Sequence, residues 1–296
     1  MTLRGRHLFC FGLGYTARRL VPRLRALGVR VSGTTRGAGT ASGWAALGIE
    51  AHVFDGSRPV GAGALEGVTD ILISVPPGPF GCPALIAHRP QIAALPDLRW
   101  IGYLSSTAVY GDCGGEWIDE TRSLAPGSPD AIGRVASETA WSALAASRRV
   151  ACDLLRVSGI YGPGRSALDQ IRSGRARAIV KPGQVFNRIH VDDIAGAVLA
   201  AMRAPGRRRV TNLADDCPAP TSEVLLHAAR LLGLPPPQVV PLAEADLPPM
   251  MAGFYAENRR ILNAGLKSLP GFVLGHPDYR AGLAAILDAE AKETAQ

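Results

Sequence analysis

Apolar runs and helical stripes alternate along the first part of the chain. The run His7–Phe11 is apolar, and a second strand-like run follows at Val29–Thr34. Between them, Leu20, Leu24 and Leu27 recur at the spacing of one helix face. The pattern predicts a strand, a helix and a second strand within about 30 residues.

The same alternation continues over the rest of the chain. Further strands are predicted at Glu50–Phe54, Asp70–Val75, Trp100–Ser105, Ala151–Val157 and Arg209–Leu213. Further helices are predicted at Pro83–Leu95, Ala131–Ser147, Asp192–Arg203 and Thr221–Leu232. Asp192 or Asp193 is the expected N-cap of the third of these helices. Strands and helices at this spacing predict an α/β fold with a doubly wound parallel sheet, whose ligands bind beyond the carboxyl ends of the strands.

A glycine turn separates the first strand from the first helix. It reads Gly12-Leu13-Gly14 and leads through Tyr15 to Ala17. Gly12 allows a sharp turn, Gly14 allows a diphosphate to approach the backbone, and Ala17 is small enough for close packing of helix on strand. Free amides and the positive dipole at the helix start attract phosphates. The turn is predicted to bind a dinucleotide, as in the first half of a Rossmann fold, and a purely structural turn is the alternative.

The end of the second strand bears on which dinucleotide binds. An acidic residue about 20 residues past the glycines would bind the ribose hydroxyls of NAD, but the chain has Thr34-Thr35-Arg36 there. The planar guanidinium of Arg36 can pair with a 2′-phosphate. The predicted cofactor is therefore NADP, with Thr35 and Arg36 in the site. NAD is the alternative, and Arg36 would then be a solvated loop residue.

Further cofactor contacts are expected where other strands end. Asp55 follows the third predicted strand, where its carboxylate would meet the adenine amino group or would instead form a local turn with Gly56. The other residues predicted to contact the cofactor are Ser74, Val75, Pro76, Ser105 and Tyr161.

Composition and charge exclude several classes of protein. Hydrophobic residues make up 47% and charged residues 19% of the 296 residues, which is typical of a globular protein. The net charge of +7 is scattered rather than gathered in a basic patch with aromatics, so no nucleic-acid partner is expected. No apolar stretch approaches about 18 residues, so no membrane partner or span is expected.

The cysteines and histidines indicate neither disulfides nor a metal. The five cysteines are an odd number without a C-x-x-C motif, which favours reduced thiols and a cytoplasmic location. The six histidines lack metal-ligand spacing, so no metal is expected. The expected partner is a small-molecule substrate. A homodimer is a further expectation, and the oligomeric state is left open.

Four segments carry a resemblance that covers nearly the whole chain. They are GLGYTA at Gly12–Ala17, LSSTAVYGD at Leu104–Asp112, LRVSGIYGPGR at Leu155–Arg165 and NRIHVDDIAGA at Asn187–Ala197. With these motifs the chain resembles the extended short-chain dehydrogenase/reductase superfamily, in an atypical branch of its NAD(P)-dependent epimerase/dehydratase type. The resemblance implies a Rossmann-like domain over 1–215, with 166–185 as an excursion to the substrate side, and a small substrate or lid domain over 216–296.

The chain departs from the superfamily at the residues that move protons. Working members carry Tyr-x-x-x-Lys on the helix after the fifth strand, and the lysine lowers the pKa of a phenol that is otherwise near 10. Alignment on Gly133 and Glu138 places Ile132 at the tyrosine position and Ala136 at the lysine position. The acid/base pair is therefore predicted to be missing.

Two residues are candidates for catalysis in its place. Ser106 stands where the superfamily keeps a substrate-polarising Ser or Thr, and it would otherwise make local backbone hydrogen bonds. Tyr110 would replace the lost acid or would have a structural role. Acids in the loop that follows Tyr110 are candidate acids or members of a solvated acidic loop: Asp112, Glu116, Asp119 and Glu120.

Basic residues are expected on the substrate side. Arg165 and Arg188 would hold a carboxylate or phosphate bidentately, and His190 would face the substrate or would brace a helix start. The resemblance implies an NADP-dependent oxidoreductase or epimerase acting on a sugar-like or other small alcohol or ketone. The missing acid/base pair keeps a non-catalytic NADP-binding redox sensor or scaffold as the alternative.

Overall fold

The computed structural model describes residues 2–78 and 80–294. Its strands are β1 His7–Phe11, β2 Arg30–Thr35, β3 Glu50–Val53, β4 Asp70–Ile73, β5 Trp100–Ser106, β6 Trp117–Ile118, β7 Ala151–Val157, β8 Gly159–Tyr161, β9 Arg177–Val180, β10 Arg188–His190, β11 Arg207–Leu213, β12 Gln238–Pro241 and β13 Arg260–Ile261. Its helices are α1 Tyr15–Ala26, α2 Ala38–Ala46, α3 Pro83–Ala94, α4 Pro129–Arg148, α5 Ala167–Arg172, α6 Val191–Arg203, α7 Thr221–Leu232, α8 Pro249–Ala256, α9 Ala264–Lys267 and α10 Tyr279–Thr294.

Seven strands form one parallel sheet in the order β11-β7-β5-β4-β1-β2-β3. The chain adds strands on one side of β1 and then returns to add β4 and the later strands on the other. The strand order therefore reverses between β1 and β4, and the crevice at such a reversal is where open α/β sheets bind ligands. The predicted α/β fold with a doubly wound parallel sheet is confirmed.

Strand β1 shows why the central strands read as unbroken apolar runs. Leu8 and Cys10 belong to the apolar cluster on one face of the sheet, and Phe9 and Phe11 belong to the cluster on the other. All four are fully buried. In a strand covered by helices on both faces, the side chains on both faces are apolar and do not alternate with polar ones. This explains the apolar runs from which the sheet was predicted.

The chain after β8 builds small parallel pairs beside the main sheet. Strand β9 pairs with β12, β10 with β8, and β13 with β6. Helix α5 packs against α7 and α10 in an apolar cluster of its own. The excursion predicted at 166–185 thus pairs and packs with the C-terminal segment, while Leu266 and Phe272 of that segment pack into the main core. The division at 215 stays a prediction.

Helix α6 is capped by His190 and not by either of the two predicted aspartates. The Nδ1 atom of His190 accepts the amide of Asp192 at 3.2 Å, so the expectation that Asp192 or Asp193 is the N-cap is wrong. The carboxylate of Asp192 instead accepts hydrogen bonds from Arg19 and Arg23 of α1, at 2.7 to 2.8 Å. It joins two helices and is not free to cap its own.

No helix within the described residues is both long enough and apolar enough to cross a membrane.

Candidate functional site

The glycine turn is fixed by hydroxyls of the two neighbouring strand ends. Gly12 has a φ of +103°, and a Cβ there would lie 2.6 Å from Ser74 Oγ. Its amide donates to Thr34 Oγ1 at 3.0 Å, and Ser74 Oγ donates to its carbonyl at 2.7 Å. Val75 would also meet that Cβ, at 3.2 Å. The structure thus brings Gly12 and Ser74 together with Val75 at the reversal point of the sheet, where the dinucleotide was predicted; Pro76 follows them, exposed.

The start of α1 has the properties of an anion site. Gly14 is its N-cap, no side chain among the described residues caps the helix, and its first turn contains no acid. A Cβ on Gly14 would meet nothing within 4 Å, so the space beside the first amides is open. Leu13 and Ala17 are buried beneath and hold the helix on the sheet. Free helix amides beside open space suit a diphosphate, so the residues present fit the predicted cofactor.

The end of β2 presents a second uncapped helix start. Thr35 is buried, and its hydroxyl donates to the carbonyl of Gly37 at 3.1 Å. Gly37 is the N-cap of α2, which has neither a side-chain cap nor an acid in its first turn. Arg36 is exposed next to it.

Asp55 takes the local alternative. Its Oδ1 accepts the amide of Ser57 at 2.9 Å and the Ser57 hydroxyl at 2.6 Å. These hydrogen bonds, led by that of the hydroxyl, hold the pKa of the exposed Asp55 carboxyl below its usual range. The geometry favours a turn at the end of β3 over the predicted adenine contact.

Helix α4 turns the aligned positions outward. Ile132 and Ala136 are exposed on one face, whereas Ser137 and Glu138 are buried on the other. The two positions predicted to replace the acid/base pair thus carry exposed apolar side chains.

The Tyr110 hydroxyl is buried and fully hydrogen-bonded. Tyr110 is 1% exposed, its hydroxyl donates to Asn212 Oδ1 at 2.7 Å, and Arg156 donates to that hydroxyl at 2.9 Å. Burial raises the pKa of the phenol despite the Arg156 charge. A phenol in this state is a poor proton donor to a substrate, so the structure favours the structural role for Tyr110.

The two serines at the end of β5 point in different directions. Ser105 is buried, and its hydroxyl donates to Glu138 Oε1 at 2.6 Å, so the side chain serves the core and not the predicted cofactor contact. Ser106 is partly exposed, and its Oγ accepts the amide of Ala108 at 3.1 Å, at the start of a short 3₁₀ turn. The Ser106 hydroxyl hydrogen remains available to another acceptor, so the local hydrogen bond and the predicted contact with a substrate are compatible.

Comparison with known proteins places the chain in a family. Residues 96–214 match the sequence profile described as the NAD dependent epimerase/dehydratase family. The 3-diazoavenalumate denitrifying reductase of a Streptomyces species is 30% identical in an alignment of 249 residues, and the match covers 79% of this chain and 68% of that protein. The chain belongs to the NAD dependent epimerase/dehydratase family. It is therefore a protein of the NAD(P)-dependent oxidoreductase and epimerase type, which uses a nicotinamide dinucleotide.

Two solved structures share the fold over nearly the whole chain. A conserved protein of unknown function from Silicibacter pomeroyi DSS is 43% identical with a TM-score of 0.89, and the match covers 96% of this chain and 99% of that one. MoeE5, solved in complex with UDP-glucose and NAD, is 21% identical with a TM-score of 0.74, over 98% of this chain and all (100%) of that one. At 21% identity, the likeness to MoeE5 shows only that the two proteins share a fold.

The carboxylates of the acidic loop are engaged both within the loop and with residues distant in sequence. Asp112 accepts the amide of Asn258 at 2.7 Å, and Glu120 accepts the amide of Asn212 at 2.7 Å. Asp119 binds Thr121 across a turn, and Glu116 pairs with Arg122. Exposed Asp112 and Glu116 fit the predicted solvated loop, whereas Glu120 is partly buried. All four carboxylates are engaged, which disfavours a role as catalytic acids.

The two arginines predicted on the substrate side differ in environment. Arg165 is exposed, and its guanidinium carbon lies 5.8 Å from the ring centroid of Tyr15, whose hydroxyl donates to the carbonyl of Pro163 at 3.1 Å. Arg165 thus lies near the start of α1 and not deep in a substrate pocket. Arg188 donates to the carbonyls of Phe186 and Ala219 at 2.9 and 2.8 Å. These backbone carbonyls occupy its guanidinium, which disfavours bidentate binding of a substrate anion.

Tyr161 serves the packing of the C-terminal helix. Its hydroxyl donates to the carbonyl of Asp278 at 3.2 Å, and a Cβ on Gly282 of α10 would lie 2.0 Å from that hydroxyl. Tyr161 is 7% exposed, and burial raises the pKa of its phenol. The side chain is better explained as the contact of β8 with α10 than as the predicted cofactor ligand.

The fold also brings together three side chains that could bind a metal ion, a grouping that their spacing in the sequence did not reveal. Ligand atoms of His190, Asp193 and His276 lie within 4.8 Å of one another, and the two imidazoles stack with centroids 3.8 Å apart. Asp193 already accepts the amides of Gly275 and His276 and the His276 Nδ1, at 2.8 to 3.1 Å. Because the Asp193 carboxylate is engaged in this way, we interpret the three side chains as structural. Asp193 holds the loop at Gly275 and His276, and His190 caps the start of α6.

Asp215 is the site residue that sequence reasoning missed most clearly. It follows β11, is 2% exposed, and its Oδ2 has no hydrogen-bond partner within the described residues. Burial raises its pKa to about 7, and the charge of Arg188 opposes that rise only in part. A carboxyl that titrates near neutrality beyond a strand end is a candidate functional group. Its position at the carboxyl end of a strand was the one available signal.

Proposed function

We propose that the protein is an NADP-dependent oxidoreductase or epimerase that acts on a sugar-like or other small alcohol or ketone. The observation that carries the proposal is the pair of uncapped helix starts at Gly14 and Gly37, with Arg36 exposed beside the second. When bound, the nicotinamide would supply or accept the hydride. The protein's own residues would hold the cofactor and orient the substrate oxygen.

Two anions of different kinds would suit the two helix starts. The open amides after Gly14 would hold the diphosphate. The amides after Gly37 together with the Arg36 guanidinium would hold a 2′-phosphate, because a planar fork matches phosphate oxygens. A carboxylate at the end of β2 would favour the bare hydroxyls of NAD, and Thr34, Thr35 and Arg36 offer none. NADP is therefore the preferred cofactor in this proposal.

Ser106 is the residue proposed to meet the substrate. Its hydroxyl is partly exposed at the end of β5, and the amide of Ala108 fixes its oxygen, so its hydrogen can be donated to a substrate carbonyl. Tyr110 remains a weaker candidate for the acid, because its hydroxyl is enclosed by Asn212 and Arg156. Proton transfer from solvent or from the substrate itself would then take the place of the side-chain acid.

A non-catalytic NADP-binding sensor or scaffold is the second candidate. The observation that favours it is the exposed apolar face of α4 at Ile132 and Ala136, together with the burial of Tyr110. A sensor needs the cofactor site but no proton donor. We also propose reduced thiols and a cytoplasmic location, because the five cysteines are an odd number without a C-x-x-C motif.

Binding and turnover can be measured separately. Titration with NADPH and NADH, followed by nicotinamide fluorescence, should show tighter binding of NADPH. Arg36→Ala should weaken NADPH at least about tenfold and leave NADH unchanged, since it removes a charge-assisted hydrogen bond. Arg89→Ala, at an exposed position of α3, is the matched control. A screen of alcohols, ketones and sugars with Ser106→Ala as comparison then separates enzyme from sensor. Equal affinity for the two cofactors, unaffected by Arg36→Ala, would reject the NADP assignment.

A further inference from the structure

A cavity of about 190 Å³ lies between the loop that follows β9, the start of α7 and helix α8. None of the predicted cofactor residues lines it. Sites for drug-sized ligands measure about 300 to 1,000 Å³, so this cavity has room for a single ring with small substituents. Four of its lining side chains indicate which ring: Lys181, Gln184, Phe186 and Tyr255.

The aromatic side chains set the shape of one wall. The rings of Phe186 and Tyr255 stand edge to face, with centroids 5.2 Å apart and planes at 81°. The backbone bridge between Phe186 and Ala219 fixes the main chain that carries the first ring, and Tyr255 is 8% exposed. A flat ring suits this wall, because aromatic rings prefer offset-stacked or edge-to-face contacts with one another.

Gln184 supplies a buried acceptor that lacks a partner. The side chain is 2% exposed and its Nε2 donates to the carbonyl of Glu257 at 2.8 Å. Its Oε1 is buried and accepts no hydrogen bond from any described residue. Buried acceptors are normally satisfied, so a ligand with an O–H or N–H donor would complete this site.

Lys181 supplies a positive charge on the same cavity. Its Nζ donates to the carbonyl of Tyr255 at 2.5 Å, which uses one of three hydrogens. It forms no ion pair with any described residue, and no carboxylate is among the residues that line the cavity. Arg188 adds a second charge behind the wall, where it donates to Thr221 Oγ1 at 3.1 Å. The cavity therefore favours an anion.

We propose that this cavity binds the ring of a hydroxylated aromatic acid, as part of the substrate of the proposed oxidoreductase. The phenolic hydroxyl would donate to Gln184 Oε1, the carboxylate would accept from Lys181 Nζ, and the ring would pack on Phe186 and Tyr255. The substrate class named here rests on the proposed function, whereas binding of the ring acid itself does not.

The test is calorimetric titration of the full-length protein, with and without NADPH, using four probes. 4-Hydroxybenzoate carries both groups, benzoate lacks the hydroxyl, 4-hydroxybenzyl alcohol lacks the carboxylate, and UDP represents a nucleotide. 4-Hydroxybenzoate should bind about tenfold more tightly than either single-group analogue, the effect of one well-placed hydrogen bond. Comparison of the ligands needs no variant and so cannot fail through misfolding.

Variants then assign each preference to its residue. Lys181→Met should abolish the preference for the carboxylate, and Lys292→Met, in the exposed last turn of α10, should not. Gln184→Leu should abolish the preference for the hydroxyl, and Gln184→Glu, which keeps an oxygen acceptor, should retain it.

Failure of this inference can be told apart from failure of the proposed function. If NADPH binds and 4-hydroxybenzoate does not, or UDP binds more tightly, the inference falls and the cofactor assignment stands. If 4-hydroxybenzoate binds with both residue dependences and NADPH does not, the cavity is a ligand site and the proposed function falls.

Discussion

Glu138 of α4 and Arg156 of β7 form a buried ion pair with two hydrogen bonds, of 2.8 Å from Nη2 and 3.1 Å from Nε. Both side chains are nearly inaccessible, at 5% and 6%. The third nitrogen of Arg156, Nη1, donates to the Tyr110 hydroxyl, and Ser105 donates to Glu138. The pair thus ties the helix that carries Ile132 to the strand ends of the sheet.

Removal of one partner of this pair should be costly. Glu138→Ala leaves the Arg156 charge buried without its counter-ion, and we expect a loss of about 3–5 kcal/mol in the free energy of unfolding. Urea denaturation measures it. Asp130→Ala, which breaks the exposed pair with Arg134, should cost no more than about 0.5 kcal/mol. Similar losses in the two variants would contradict the anchoring role of the buried pair.

The two glycines of the turn should separate folding from binding. Gly14 has a φ of −101° and open space around a Cβ, so Gly14→Ala should change the melting temperature little while weakening dinucleotide binding. Gly12→Ala meets Ser74 Oγ and a positive φ, so it should destabilise the fold by about 1–3 kcal/mol. Thermal unfolding and NADPH titration of each variant decide the matter. Unchanged NADPH affinity in Gly14→Ala would remove the diphosphate from this turn.

How much of this the sequence could predict depends on the range of each interaction. The glycine turn is local, so its place between β1 and α1 could be found from adjacent residues. The buried apolar runs Asp70–Ile73 and Ala151–Val157 likewise predict strands from adjacent residues alone. The sheet order follows from such strands because parallel crossovers leave few topologies.

The side-chain partners of the site lay beyond such reasoning. The sequence offers Tyr110 both an acid role and a structural role, and the structure favours the structural one because it brings Asn212 and Arg156 to the hydroxyl. The sequence leaves His190 either facing the substrate or bracing a helix start, and the structure favours the second because Asp192 is bound to α1, which leaves the imidazole as the cap. Partners distant in sequence are fixed by tertiary packing, and a single sequence does not record them.

Asp215 predicts an unusual dependence of stability on pH. Its pKa is about 7 in the folded protein and near 4 when unfolded. The unfolded state therefore releases this proton first as pH rises, and the group's contribution to stability falls between pH 4 and 7 by up to about 4 kcal/mol. It is constant below and above that window.

The difference between the wild type and Asp215→Asn isolates this effect. Burial and the neighbouring His276 lower the pKa of His190 to about 4, which makes stability rise with pH over part of the same range, but both proteins share that term. We expect the wild type to lose stability relative to Asp215→Asn from pH 4 to 7, as measured by urea denaturation at each pH. A constant difference would mean that the carboxyl is already ionised in the fold.

Tyr110→Phe tests whether its hydroxyl acts in chemistry or in structure. The variant leaves Asn212 Oδ1 and one Arg156 donor without their partner in a buried place, so we expect a stability loss of about 1–3 kcal/mol. Because the hydroxyl is enclosed, NADPH affinity and turnover per folded molecule should stay within about twofold of the wild type. Ser106→Ala, at the partly exposed strand end, should show the opposite result, with normal stability and reduced turnover. A turnover loss in Tyr110→Phe that exceeds the loss in Ser106→Ala would return the acid role to the phenol, and the strand end would then have to open for its hydroxyl to reach a substrate.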